Sequence, residues 1–217
     1  IDGDGNMIFI GSKEWPGGII IYKYDNNGNL IWSKEIDDAS TWGGVYTGVL
    51  GVNDDYITIR GYSYENEIII DESSITNPTG TDFISYVTRF SSSTGELIWY
   101  NTFQGGAVSR IDIDKYGNTY TVGTFGINDG TMVLQSASGL ESISTDNFYN
   151  CLMMKFDING DYIWHQFYPA GNSAGTGNYA SFDYVISNQQ NDMLAVGGYN
   201  DYNGFQIEDI NIPTSSQ

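Results

Sequence analysis

Short apolar runs alternating with polar, glycine-bearing turns fill this chain from end to end. "IIIYKY" and "LIWSKEI" flank the turn "DNNGN", and both are rich in β-branched and aromatic residues, the composition of strands. Nowhere does a long stripe of apolar residues recur every 3.6 positions between helix caps, so helix content is expected near zero. Strands are predicted at 44–52, 55–64, 81–90 and 96–103, and again at 107–114, 118–125, 149–157 and 161–168.

These strands belong to a repeat. "YDNNGNLIWSKE", "FSSSTGELIWYN" and "FDINGDYIWHQF" carry Trp32, Trp99 and Trp164, spaced by 67 (99−32) and 65 (164−99) residues. The second copy is one residue longer in its turn, "STGE". Gly28, Gly95 and Gly160 suit turn positions with φ > 0, and neighbouring Asn and Asp favour tight turns. A second phrase recurs between these hairpins, as "GDGNMIFIG", "NDDYITIRG", "KYGNTYTVG" and "QQNDMLAVG", closing on Gly11, Gly61, Gly123 and Gly197. An apolar stretch precedes each of the last three.

Four consecutive antiparallel strands per unit, repeated, predict an all-β chain built as a β-propeller of four-stranded blades. The expected division is a partial blade at 1–36, blades at 44–103 and 107–168, and a partial blade at 179–217. Many short strands also suit a sandwich, but the long period and the repeated Trp hairpin favour the propeller. Three to four blades fall short of the usual four to eight, so the chain is expected to be a piece of a larger ring, closed by further blades or by a second copy. Each unit exceeds common propeller repeats because of insertions between its second and third strands, "YENEIIIDESSITNPTGTD" and "GINDGTMVLQSASGLESISTDN". Each has an apolar centre suited to a small extra hairpin.

Composition narrows the function. Eight Lys and Arg against 27 Asp and Glu give a net charge of −19, which repels nucleic acid and anionic membranes. Cys151 is the only cysteine, so no intrachain disulfide or thiolate cluster can form. No apolar run approaches the roughly 20 residues of a membrane-spanning helix, and no membrane insertion is expected. No signal peptide is evident.

"GNTYTVGTF", "MMKFDINGDYIWHQF" and "KYDNNGNLIWSKEI" resemble the bacterial seven-bladed β-propeller repeat family of secreted and cell-surface proteins, across nearly the whole chain. The resemblance implies an extracellular stalk or binding module and attaches no catalytic residues. The departures are the stretched second hairpin and "ISNQQNDM", which lacks the glycine of "DKYGN". "SSSTGELIW" is similar, more weakly, to the Trp-docking repeat of quinoprotein dehydrogenase propellers. That family's cysteine pair cannot exist here, so only a packing role for Trp99 carries over.

The recurring Trp32, Trp99 and Trp164 are expected to pack between blades. Lys23, Arg89 and Lys155 recur immediately before the hairpin's first aromatic. Lys23 and Asp25, like Lys155 and Asp157, are two apart and are expected to pair within their own hairpins; a ring of cations around an anion is the sharper reading. His165 is the sole histidine, and its counterparts Ser33 and Tyr100 argue against a conserved chemical role within the repeat. Asp2, Asp4 and Asn6 alternate as calcium ligands can, though without the rest of a calcium loop; Asp157, Asn159 and Asp161 do the same. Loop aromatics Trp15, Trp42, Tyr199 and Tyr202 are the candidate ligand-binding residues, able to stack on a sugar or anchor a protein.

The function expected is a non-enzymatic, extracellular interaction or display scaffold with no cofactor and with protein or glycan partners. One alternative is a carbohydrate-binding propeller that uses the loop aromatics. Another is part of a catalytic propeller whose active residues lie in missing blades.

Overall fold

The computed structural model describes residues 1–13, 18–38, 46–52, 55–65, 67–71, 73–76, 83–125, 131–144, 150–168, 179–187 and 193–200. Among these residues every regular element is a strand. In chain order they are β1 (Met7–Ser12), β2 (Ile19–Tyr24), β3 (Leu30–Asp38), β4 (Tyr46–Val52), β5 (Tyr56–Ser63) and β6 (Glu67–Ile70). Then come β7 (Ser73–Thr76), β8 (Ile84–Ser91), β9 (Leu97–Gln104), β10 (Gly106–Ile113), β11 (Thr119–Phe125) and β12 (Thr131–Ser136). The last are β13 (Gly139–Ser144), β14 (Asn150–Phe156), β15 (Tyr162–Tyr168), β16 (Tyr179–Ser187) and β17 (Met193–Asn200).

The all-β expectation holds, and the eight predicted strands match β4, β5, β8, β9, β10, β11, β14 and β15 to within a few residues. Each unit pairs with itself in sequence order, antiparallel throughout: β4-β5-β8-β9 form one run and β10-β11-β14-β15 another. β1-β2-β3 make a third sheet, and β16-β17 a two-stranded one. The four main strands of each of these units therefore pair among themselves.

The insertions do form hairpins, but they leave their own sheet. β6–β7, which interrupts the unit of β5 and β8, pairs through β6 with β3 of the preceding sheet. β12–β13, between β11 and β14, pairs through β12 with β9. Each hairpin thus straps one sheet to its predecessor and covers the edge strand that would otherwise expose unpaired backbone groups. The straps are apolar on their inner side: Ile68, Ile70 and Ile75 of one, Met132, Leu134 and Ile143 of the other, are buried.

Three apolar layers lie between successive sheets. Ile19, Ile21 and Ile36 meet Ile57, Ile59, Tyr86 and Phe90 in the first. Val87, Trp99 and Phe103 meet Ile111, Phe125, Leu152, Met154 and Phe156 in the second. Tyr120, Val122 and Met153 meet Val185 of β16 in the third. Along β8, Tyr86 and Phe90 enter the first layer and Val87 the second, so one sheet supplies both layers from opposite faces.

Two irregularities explain the repeated phrases. The first strand of each unit carries a bulge opposite the recurring glycine, between Thr47 and Val49, Val108 and Arg110, and Phe182 and Tyr184. At Gly123 the bulged strand comes so close that a Cβ would lie 2.0 Å from the Ala107 carbonyl oxygen, so glycine is required by close approach rather than by φ. In the last hairpin of each unit, Lys23 faces Trp32 while Tyr24 faces Leu30. The same skip occurs at Arg89/Trp99 and Lys155/Trp164. Ile31, Ile98 and Ile163 are the extra, exposed residues of these bulges. The bulge places a cation directly across from a tryptophan in every copy.

Candidate functional site

The turns before Trp32 and Trp164 are each built around an aspartate. Asp25 Oδ1 accepts the backbone N–H groups of Asn27 and Asn29 at 2.8 Å each, and its Oδ2 accepts the Asn29 side-chain amide at 2.8 Å. Asp157 does the same with the N–H groups of Asn159 and Asp161. Asp2 and Asp114 build the equivalent turn before β1 and β11. Gly5, Gly28, Gly117 and Gly160 close these turns with φ between 80° and 86°, where a Cβ would be strained. The stretched copy uses Ser91 instead, whose Oγ accepts from Thr94 N at 3.2 Å.

These shaped turns are what the next unit's neighbour holds. Trp32 Nε1 donates to the Ser92 carbonyl at 3.0 Å, across to the following sheet. Lys23 Nζ donates to the same carbonyl at 2.8 Å and to Ser92 Oγ at 2.9 Å. One unit on, Trp99 Nε1 donates to the Ile158 carbonyl at 3.1 Å and Arg89 Nη1 to the same oxygen at 3.1 Å. The indole faces rest on glycine: a Cβ at Gly95 would lie 2.8 Å from Trp32, and one at Gly160 2.7 Å from Trp99. Each joint is therefore a tryptophan and a cation from one sheet gripping a single turn carbonyl of the next. The expected packing role of Trp32 and Trp99 holds, and it has this directional partner.

The expected pairing of the recurring cations within their own hairpins is corrected. β2 ends at Tyr24, so Asp25 leaves the strand and turns back on its own loop, while Lys23 reaches Asp2 at 2.7 Å and the next sheet. Lys155 does not pair with Asp157 either; its ammonium sits over the Tyr120 ring, 5.0 Å from the centroid. Nor do the cations ring an anion. Arg89 is fully buried and spends its donors on protein acceptors: Thr58 Oγ1 at 3.0 Å, the Gly117 carbonyl at 2.6 Å, Thr119 Oγ1 at 2.6 Å and the Ile158 carbonyl. The Tyr56 and Trp99 rings flank it, each 4.9 Å away. Burial pushes its pKa down to about 10, so it stays charged at neutral pH.

Of the candidate ligand-binding aromatics, Trp15, Trp42 and Tyr202 lie outside the described residues. Tyr199, expected in a loop, lies instead in β17, where its backbone pairs with Ala180 of β16. Of the calcium triplet, Asp2 has its carboxylate filled by two backbone N–H groups, the Asn6 side-chain amide at 3.0 Å and Lys23. These three residues shape a turn in which Asp4 and Asn6 donate to the Asp2 carboxylate. Among the described residues no cluster of three or more His, Cys, Asp or Glu side chains is placed to hold a metal. His165 is half-buried on β15 against Phe167, with its Nδ1 bonded to the Tyr162 hydroxyl. Burial lowers the pKa of His165, against the pull of Glu141, and pushes Tyr162 up to about 12. Cys151 is buried.

Sequence reading missed one aromatic group. Tyr62, Tyr64 and Phe83 lie with ring centroids 5.8–5.9 Å apart, at the end of their sheet opposite the Ser91–Glu96 turn, and Tyr64 is exposed. Tyr62 lies in β5, Tyr64 just after it and Phe83 just before β8, and the antiparallel pairing of β5 with β8 brings Phe83 to the two tyrosines.

Two predictions arise from this geometry. Burial alone would raise the Asp2 pKa, but the Lys23 and Asn6 contacts outweigh it and bring it down to about 2 from 3.8. A depressed carboxylate contributes stability that is complete above the unfolded value and lost as pH falls through the folded one. Acidifying from pH ~4 to ~2 should therefore cost about 2 kcal/mol through this residue. Asp2→Asn should remove that part of the slope in urea melts taken across this range. Gly28 and Gly160 share φ +86°, yet among the described residues a Cβ at Gly28 would meet nothing within 4 Å. Gly28→Ala should cost roughly 1–2 kcal/mol of backbone strain, and Gly160→Ala about 1–3 kcal/mol more for the Trp99 clash. Equal losses in urea unfolding would mean Trp99 does not seat there.

The chain matches no protein-family model and no curated protein sequence. Among the described residues no helix is long and apolar enough to cross a membrane.

Proposed function

We propose that this chain is a section of a β-propeller acting as a non-enzymatic interaction or display scaffold in a secreted or cell-surface protein. The supporting observation is the joint: the same tryptophan, cation and turn carbonyl fasten one sheet to the next, in chain order, at two successive boundaries. Such nearest-neighbour docking suits radial repetition of four-stranded sheets. The residues that repeat are spent on these joints, so the repeat encodes assembly and leaves recognition to surfaces that differ between units. A net charge of −19 suits a soluble module and disfavours polyanionic partners. The resemblance to secreted propeller repeats supports the location.

A second reading, glycan binding, draws on the Tyr62–Tyr64–Phe83 group as well as on the candidate aromatics Trp15, Trp42, Tyr199 and Tyr202. A glycan array probed with the chain separates the two. The scaffold reading expects no sugar retained above background. A retained sugar whose binding falls with Tyr64→Ala or Trp15→Ala, in folded variants, would replace it with the lectin reading.

A further inference from the structure

Asn159 stands in the turn that Trp99 grips, and Gly160 follows it. An asparagine before a glycine is a reactive pair within its own chain. The glycine nitrogen can reach the asparagine Cγ. Glycine brings no side chain to block that approach and few limits on the backbone rotation it needs. Asn159 is exposed, so water and base reach its amide, whereas Gly160 is buried.

The joint holds the two reacting groups apart. Gly160 N donates to the Asp157 carbonyl at 3.1 Å. The Gly160 carbonyl accepts Nδ2 of the fully buried Asn101 at 3.0 Å. Trp99 lies over the same glycine, and Trp99 and Arg89 together hold the Ile158 carbonyl. Asn159 is tied as well: its N–H donates to Asp157 Oδ1 at 2.8 Å and its side-chain amide to Oδ2 at 3.4 Å. Three successive peptide units are thus pinned, the first and third by side chains of the neighbouring sheet. The middle one must turn, and give up its bond to Asp157, before Gly160 N meets Cγ. It turns freely only when the sheets part.

We propose that Asn159–Gly160 is a self-modification site whose rate is set by opening of the Trp99 joint. In the opened turn the Gly160 nitrogen gives up its proton and bonds to Asn159 Cγ. The Cγ–Nδ2 bond breaks, and the amide nitrogen leaves as ammonia with that proton. Water, the only co-reactant, then opens the succinimide ring at either carbonyl, to aspartate or to isoaspartate. Isoaspartate routes the main chain through the side-chain methylene, so one extra carbon separates the Ile158 carbonyl from Gly160. Trp99 can then no longer seat on the glycine and reach that carbonyl together. Opening is reversible, and the modified joint is not, so the contact between these sheets carries its own lifetime. This inference does not depend on the scaffold reading.

Incubation of the 217-residue chain in mildly alkaline buffer tests this, followed by peptide mapping that resolves asparagine, aspartate and isoaspartate at each position. Asn27–Gly28, the same pair in a turn that Trp99 does not cover, is the internal reference. Trp99→Phe keeps an apolar ring and loses the indole donor. It should raise the Asn159 rate relative to the Asn27 rate at least about tenfold, the factor that about 1.4 kcal/mol of lost closing free energy gives. Circular dichroism establishes that the variant is folded; if it is not, Asn101→Ser, which removes the donor to the Gly160 carbonyl, takes its place with the same expectation. The unfolding midpoint of the parent should fall as isoaspartate accumulates at 159. Asn159→Gln, whose longer side chain closes the ring far more slowly, should age without that fall. Fresh Asn159→Asp, which carries the charge without the extra carbon, should stay near the parent. A ratio of Asn159 to Asn27 rates that the variant leaves unchanged overturns the proposal, as it would if whole-chain unfolding governed both sites. So does conversion at Asn159 in neither protein, or isoaspartate at 159 that leaves the midpoint where it was.

Discussion

Replacing Trp99 with alanine should destabilise the chain by about 3–5 kcal/mol, the range for large aromatic truncation in a packed core. Trp99 is 6% exposed, lies in the layer between two sheets, covers Gly160 and donates to the Ile158 carbonyl. Its loss opens a cavity and leaves Arg89 to hold that carbonyl alone. Trp164→Ala should cost distinctly less in this chain, because Trp164 is only half-buried and its indole N–H has no acceptor among the described residues. Urea unfolding of both variants, compared at equal m-value, gives the answer. Equal losses would mean that burial against a following sheet is not what the repeated tryptophan is for.

The second large effect belongs to Arg89. Arg89→Met keeps most of the volume and removes every donor. The Ile158 carbonyl retains Trp99, but the Gly117 carbonyl loses its short 2.6 Å partner, and Thr58 and Thr119 lose theirs. One or two buried acceptors left without a donor cost about 2–4 kcal/mol. Arg89→Lys should be milder, since Lys23 serves the equivalent joint with a single ammonium. If the methionine variant proved as stable as the parent, desolvation of the guanidinium would offset its hydrogen bonds, and Arg89 would not fasten the joint.

Much of this was legible before any coordinates. Turn chemistry and alternating apolar runs placed the eight strands of the two full units, because those signals are local. The repeated Ile-Trp pair was visible, but its reason was not: the bulge at Ile31, Ile98 and Ile163 is a property of pairing, and it alone sets the cation opposite the tryptophan. The partner of Lys23 was misread for the same cause. Asp25 is near in sequence, whereas Ser92 is 69 residues away and adjacent only once two sheets stack. The insertions were read as hairpins from composition, yet nothing local says that Ile68 will pair with Asp38 of the preceding sheet. Gly123 shows a further limit. A closing glycine suggests a turn, and the cause is instead the Ala107 carbonyl of a bulged neighbour. The Tyr62–Tyr64–Phe83 group needed the pairing of β5 with β8 to be seen at all.

The central claim is that successive sheets are fastened by tryptophan seated on a turn glycine. A double-mutant cycle on Trp99 and Gly160 measures that contact directly. If the cost of Gly160→Ala comes mainly from the Trp99 ring, it should shrink in the Trp99→Ala background to that of Gly28→Ala, where no atom of the described residues lies within 4 Å of the added Cβ. The predicted coupling is at least about 1 kcal/mol, above the roughly 0.5 kcal/mol scatter of independent sites. Additive losses would contradict the joint.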